Sequence, residues 1–109
     1  MFTINRYEYR NTTYKGTLDV DEDYLREIND WLEEDYDLPA DFKPITAEDI
    51  RDFMNSNSKR YEEKIVAKDS GSEYYLMDEI WDKIDEDLWY VNFIPIDNET
   101  VDYEDCVED

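Results

Sequence analysis

Excess negative charge is the feature that most restricts how this 109-residue chain can fold. The sequence has 32 Asp and Glu residues against 11 Lys and Arg and no His, a formal net charge of −21. On one small globule these charges repel one another and oppose compaction. Folding therefore needs a substantial apolar core, and 40% of the residues are hydrophobic and 16% are aromatic. Because disordered acidic segments are poor in aromatic residues, we expect a folded chain.

The charge also restricts the partners that the chain can have. Contacts with phosphates or with anionic lipids need a basic surface, so we expect neither a nucleic acid nor a membrane as a direct partner. No apolar run approaches the ~18 residues of a membrane span, and no signal-peptide pattern follows Met1. We therefore expect a cytoplasmic protein, whose oligomeric state the sequence leaves open.

Catalytic and metal-binding patterns are weak in this sequence. Histidine, the usual general base, is absent, and the single Cys106 excludes a thiolate metal cluster. Residues 19–23 space their carboxylates as at the start of a calcium loop. However, Tyr24 stands where such a loop needs glycine, and Asp30 stands in place of the closing glutamate. We expect no enzyme, no cofactor and no specific metal site.

Alternation of apolar residues over residues 2–20 predicts a β-hairpin that turns near Asn11-Thr12. Asp21 is then a suitable N-cap for a helix over residues 22–35, and Thr46 and Asp49 predict a capping box before a second, short helix. Apolar residues recur on one face of the first helix at helical spacing: Tyr24, Leu25, Ile28, Trp31 and Leu32.

The second half of the chain predicts further strands and a third helix. Residues 59–68 are expected to form a strand, and Ser72 to cap a helix over residues 73–87, with a strand over residues 73–77 as the alternative. Residues 88–96 are expected to form a buried strand. Residues 97–109 follow the single domain of residues 1–96 as an acidic edge strand, through Val101 and Tyr103, or as a tail. The tryptophans at 31, 81 and 89 are assigned to the core.

These elements together predict an α+β fold. A small single domain would hold an antiparallel sheet of about four strands, with two to three acidic amphipathic helices packed on one face. Acidic residues are distributed unevenly over these elements. Residues 1–18 and 59–68 each carry a net charge of +2, whereas residues 19–58 carry −11 and residues 69–109 carry −14.

The predicted helices concentrate acids in rows. In the first helix, acids at spacings of 4, 3 and 4 form one stripe opposite the apolar face: Asp23, Glu27, Asp30 and Glu34. In the third helix the corresponding residues are Asp78, Glu79, Asp82, Asp85 and Glu86. Like charges at these spacings destabilise a helix, and an ordinary solvated helix mixes signs. We therefore assign these nine carboxylates, with Tyr75 as an apolar anchor, to a partner-binding surface.

Two rows of carboxylates can imitate the phosphate rows of a nucleic acid. The prediction is an inhibitor that occupies the basic DNA- or RNA-binding groove of a partner such as a nuclease. In size and composition the chain resembles the DNA-mimic proteins of phages and mobile elements, which include anti-restriction and anti-CRISPR proteins and uracil-DNA glycosylase inhibitors. It also resembles the acidic immunity proteins that neutralise nuclease toxins.

Two other interpretations remain open. The chain can be a non-mimetic acidic adaptor, immunity or regulatory protein that binds a basic partner through its sheet or tail. It can also be an acidic domain from a salt-adapted organism, in which case the charge reflects the environment alone.

Overall fold

A computed structural model describes residues 1–96 and 105–108 of the chain. The described residues form an α+β fold, as predicted, with three helices and two antiparallel sheets. In chain order the elements are β1 (Phe2–Tyr9), β2 (Thr13–Val20), α1 (Glu22–Asp35), β3 (Tyr36–Asp37), α2 (Ala47–Met54), β4 (Lys64–Ala67), β5 (Glu73–Tyr75), α3 (Leu76–Trp89), β6 (Phe93–Ile96) and β7 (Cys106–Glu108).

The larger sheet has four strands in the order β6-β2-β1-β7. Its centre is the predicted hairpin, paired from Phe2 opposite Val20 to Tyr9 opposite Thr13. Strand β6 pairs with the outer edge of β2, and β7 pairs with the outer edge of β1. The prediction of an antiparallel sheet of about four strands is confirmed.

The two faces of this sheet have different surroundings. Because side chains alternate along a strand, Ile4 and Val20 point to the helices, where both are fully buried. The opposite face, which we call the open face, carries Tyr7, Tyr9 and Lys15 from the hairpin and Ile94 from β6. Tyr9 and Ile94 remain 61% and 58% exposed there. The helices thus pack on one face of the sheet, as predicted.

Local capping signals place the first two helices. The Asp21 side chain accepts a hydrogen bond from the Tyr24 backbone N–H at 2.9 Å, and α1 has the bounds that the sequence predicts. Thr46 and Asp49 form the predicted reciprocal capping box at the start of α2. Each helix turns its apolar side to the core, α1 through Ile28 and Leu32 and α2 through Ile50.

The start of the third helix differs from the first prediction. Ser72 does not cap a helix, because residues 73–75 form β5, and α3 begins at Leu76 without a side-chain cap. Tyr74 lies opposite Ile65 of β4, so pairing between strands overrides the helical pattern here. The alternative prediction, a strand over residues 73–77, is correct for residues 73–75, which pair with β4, and wrong for Leu76 and Met77, which begin α3. Sheet order β3-β4-β5 gives a second, three-stranded sheet, which the sequence pattern did not reveal.

Three further expectations need correction. Strand β4 is only four residues long, so residues 59–63 and Lys68 of the predicted strand lie outside it. Of the predicted buried strand over residues 88–96, only Phe93–Ile96 form a strand, and it lies partly exposed at the edge of the sheet, because α3 continues to Trp89. Trp89 is 57% exposed and does not belong to the core, whereas Trp31 and Trp81 pack partly buried against it.

The C-terminal segment is described only in part. Val101 and Tyr103, through which an edge strand was predicted, lie outside the described residues. Cys106–Glu108 form strand β7 at the edge of the larger sheet. Among the helices in residues 1–96, none has the length and apolarity needed to cross a membrane.

Candidate functional site

Helices α1 and α3 lie side by side and run in opposite directions. The Tyr24 hydroxyl, at the start of α1, donates to Asp87 Oδ2 near the end of α3 at 2.7 Å. The Tyr36 hydroxyl, just after α1, donates to Glu79 Oε2 near the start of α3 at 3.2 Å. Burial and the adjacent carboxylates raise the pKa of both tyrosines, so both hydroxyls stay protonated and keep donating. These two bonds link the acidic helices, which also share the apolar core.

The four carboxylates predicted on α1 share one surface. All four are exposed, and they line a shallow groove together with Arg26, Trp31 and Lys83: Asp23, Glu27, Asp30 and Glu34. With a rise of about 1.5 Å per residue, the row is about 16 Å long. Arg26 forms an exposed ion pair with Asp23 at 3.3 Å. We call these four carboxylates the α1 row.

Lys83 is the basic residue of α3, and it faces this groove. Its Nζ lies 5.7 Å from the centre of the Trp31 ring and 3.4 Å from Asp87 Oδ2. The ring of Trp31 is in turn packed edge-on against Tyr36, with ring centres 5.4 Å apart. Lys83 therefore relieves repulsion at the junction of the two helices, while the α1 row stays exposed on one side of it.

The five carboxylates predicted on α3 are not equivalent. Asp78, Asp82 and Glu86 are exposed. Glu79 accepts the Tyr36 hydrogen bond, and Asp85 forms an ion pair with Arg6 at 2.6 Å. The structure therefore brings the whole α1 row together but divides the α3 set into exposed and internally bonded carboxylates.

The buried ion pairs of Arg6 are a structural feature that the charge pattern of the helices did not reveal. Arg6 is only 8% exposed, and its guanidinium binds the two carboxylate oxygens of Asp105 at 2.8 Å each. Hydrogen bonds to Asp105 and Asp85 raise the pKa of Arg6 in spite of its burial. A basic residue at an inward position of the hairpin alternation was the available signal. Arg6 joins β1, α3 and the residue before β7.

Exposed aromatic residues lie at both ends of α3. Tyr75, predicted as an anchor, is 48% exposed at the N-terminal end, and Tyr74 beside it is 41% exposed. Trp89 and Tyr90, at the C-terminal end, are 57% and 82% exposed. Sequence reasoning missed the exposure of Trp89 because all three tryptophans were assigned to the core.

The charge of the described surface is strongly polarised. Helices α1 and α3 hold thirteen acidic residues and two basic ones, a formal charge of −11. The hairpin strands β1 and β2 hold two acidic residues and two basic ones. Within residues 1–96 and 105–108, no three His, Cys, Asp or Glu side chains are placed to hold a metal ion.

No protein-family model, curated protein or solved structure matches this chain. What α1 and α3 can bind is therefore argued from their own charges, exposures and contacts.

Proposed function

We propose that the chain is an inhibitor that occupies the basic nucleic-acid-binding groove of a partner protein with the carboxylates of α1 and α3. The observation that carries this proposal is the α1 row, whose four exposed carboxylates border one groove. Over its length of about 16 Å, one strand of B-DNA places about five phosphates. The row therefore presents four carboxylates over a length that holds about five phosphates of one strand, while Arg26 and Lys83, which line the same groove, offset part of this charge.

The α1 row works against the stability of its own helix. Neighbouring carboxylates in the row repel each other by a few tenths of a kcal/mol per pair, whereas alternating signs would stabilise the helix by similar amounts. Lys and Arg side chains of a partner would remove this repulsion on binding. Attraction at long range would also speed the encounter, and the association rate would fall steeply as salt rises.

One observation favours the adaptor as a second candidate. The open face of the larger sheet exposes Tyr9 and Ile94, and no described helix covers it. A partner bound there would not touch the α1 row. The two candidates therefore predict different sets of sensitive residues.

The test starts from proteins captured by the immobilised full chain. The heparin-binding fraction of a bacterial lysate is passed over the chain at low salt, and the retained proteins are challenged with nuclease-resistant DNA at fixed salt. Groove occupancy predicts that DNA displaces the retained protein. If DNA in excess displaces nothing, or if no protein is retained, the mimic proposal fails.

A charge-matched pair of variants separates the α1 row from total charge. The row variant carries Asp23→Asn, Glu27→Gln, Asp30→Asn and Glu34→Gln. The control removes the same four charges from exposed positions elsewhere, through Asp41→Asn, Glu48→Gln, Glu62→Gln and Asp69→Asn. We expect the row variant to bind the retained protein roughly tenfold or more weakly, since each pair contributes up to about 1 kcal/mol, and the control to bind nearly as the wild type. Equal loss in both variants would show that only net charge matters.

A further inference from the structure

We propose that the partner's groove, which this chain occupies, is a groove for single-stranded nucleic acid with aromatic platforms on which bases stack. This inference rests on the proposed function and narrows the class of partner. It is carried by a second surface, which we call the α3 stripe: Tyr75, Asp78, Asp82, Asp85 and Trp89.

The α3 stripe combines carboxylates with aromatic rings. Its members follow one another at spacings of 3, 4, 3 and 4, which places the helical members on one side of α3. From Asp78 to Trp89 the helix rises about 16 Å. This is the length of the α1 row, and the spacings of 4, 3 and 4 are the same. The difference is that Trp89 stands where the α1 row has its fourth carboxylate.

Both aromatic ends of the stripe are exposed, and a cation lies over each ring. The guanidinium of Arg6 lies 4.9 Å from the centre of the Trp89 ring, and the Nζ of Lys64 lies 5.2 Å from that of Tyr75. Arg6 is itself fixed by Asp85 and Asp105. The Trp89 ring therefore lies over a fixed cation, whereas Lys64 is itself exposed, and about half of the surface of each aromatic residue stays open to solvent. A pre-ordered ring loses little conformational entropy when a partner covers it.

This arrangement fits the chemistry of a single-strand groove. Proteins that bind single strands combine a basic track for the backbone with aromatic platforms on which bases stack. The exposed carboxylates of the α3 stripe, Asp78 and Asp82, suit the basic track, and the rings of Tyr75 and Trp89 suit the platforms. In a duplex the bases are stacked on one another inside, so a duplex-binding surface contacts phosphates and groove edges and offers no platform to Trp89.

The experiment uses the protein retained on the full chain and compares two competitors at equal phosphate concentration. One is unstructured oligothymidylate, and the other is a nuclease-resistant duplex. We expect the single strand to displace the retained protein at lower concentration than the duplex. We also expect Trp89→Ala to weaken binding about tenfold, as for the loss of one stacked base. The slope of log affinity against log salt should stay unchanged, because no charge is lost.

Controls keep this result independent of folding. Tyr9→Ala removes an equally exposed ring from the open face and should leave binding unchanged. Trp89→Phe retains a ring over Arg6 and should bind more tightly than Trp89→Ala. The difference between the tryptophan fluorescence of the wild type and that of Trp89→Phe reports on Trp89. The Trp89 emission should shift to shorter wavelength and resist acrylamide quenching when the partner binds.

The outcomes distinguish this inference from the proposed function. Suppose that the duplex and the single strand displace the partner at the same concentration, and that Trp89→Ala binds as tightly as the wild type. The single-strand inference is then overturned, and groove occupancy stands. If neither competitor displaces the partner, groove occupancy itself fails. An unchanged Trp89 emission on binding would also overturn the inference, because the ring would then lie outside the interface.

Discussion

The β1–β2 hairpin and the α1–α3 pair differ in how far their charges are paired. On the hairpin each basic residue meets a carboxylate: Arg6 meets Asp85 and Asp105, and Lys15 meets Glu108 at 3.8 Å. On the helices, thirteen acidic residues share two basic ones, and the α1 row is exposed. The positive charges of the hairpin are thus paired within the molecule, whereas most negative charges of the helices are not.

This difference bears on why the chain is acidic. Adaptation to salt would favour acids over every solvated surface. The open face instead presents Tyr7, Tyr9 and Ile94 around Lys15. A surface acidic on one layer and nearly neutral on another is more useful for recognising a basic partner than for general solvation.

Among the substitutions that test this comparison, we expect removal of Arg6 to reduce the free energy of unfolding most. Arg6→Ala leaves Asp105, whose side chain is only 17% exposed, without its cation. Loss of one partner of a buried pair typically costs about 3–5 kcal/mol, and the half-exposed Asp85 places the expected loss near the lower end. Urea unfolding measures this free energy. Arg10→Ala, which removes an exposed pair with Glu8, is the control and should change it by less than about 0.5 kcal/mol. Similar losses in both variants would contradict the assigned role of Arg6.

Gly16 tests how closely the edge strand β6 is packed on the hairpin. A Cβ at this position would lie 2.8 Å from the Phe93 ring and from Val91 Cγ2. We expect Gly16→Ala to reduce the free energy of unfolding by about 1–3 kcal/mol, as for other overpacked sites. Adding Phe93→Leu should recover part of this loss, because the ring is one of the two obstacles. A neutral Gly16→Ala would mean that β6 moves aside freely.

Local signals made much of this fold predictable. The hairpin, α1 and the capping box of α2 each depend on residues within a few positions of one another, such as Asp21 and the Tyr24 backbone. The boundary between β5 and α3 depends instead on pairing with β4, which the sequence pattern of residues 73–77 does not encode. Periodicity therefore extended the helix three residues too far toward its N-terminus.

The same distinction applies to the candidate site. Exposure of the α1 row follows from helical spacing alone, and it was predicted. Glu79 and Asp85 are bonded to Tyr36 and Arg6, which are 43 and 79 positions away in the chain. Such contacts are set by tertiary packing and cannot be read from one helix. Exposure of Trp89 was missed for the same reason, since it depends on where α3 ends and β6 begins.

Neutralising the α1 row tests whether repulsion among its carboxylates destabilises the protein. Three neighbouring pairs of like charge disappear in the row variant, so the free energy of unfolding should rise by about 1 kcal/mol at low salt. Raising NaCl from about 0.01 M to about 0.15 M shortens the Debye length from ~30 to ~8 Å and should reduce this gain. Wild-type melting temperature should increase over the same range. A gain that persists at the higher salt would point to helix propensity instead of repulsion.

The hydrogen bond between Tyr24 of α1 and Asp87 of α3 should make a small, pH-dependent contribution to stability. Burial and Asp87 raise the pKa of Tyr24 above the value of about 10 in the unfolded chain, so the unfolded state loses its proton first as pH rises. The stabilisation is therefore complete below about pH 10 and decreases above it.

The variant Tyr24→Phe tests this dependence. At pH 8, the free energy of unfolding, measured with urea, should be about 1 kcal/mol higher for wild type than for Tyr24→Phe. Near pH 11 this advantage should disappear, since one pH unit corresponds to about 1.4 kcal/mol. Deprotonation of lysines affects both proteins alike and cancels in the difference. If the difference stays constant from pH 8 to pH 11, the Tyr24 hydroxyl is not held by Asp87. Of the two hydrogen bonds, only that between Tyr36 and Glu79 would then link the two helices.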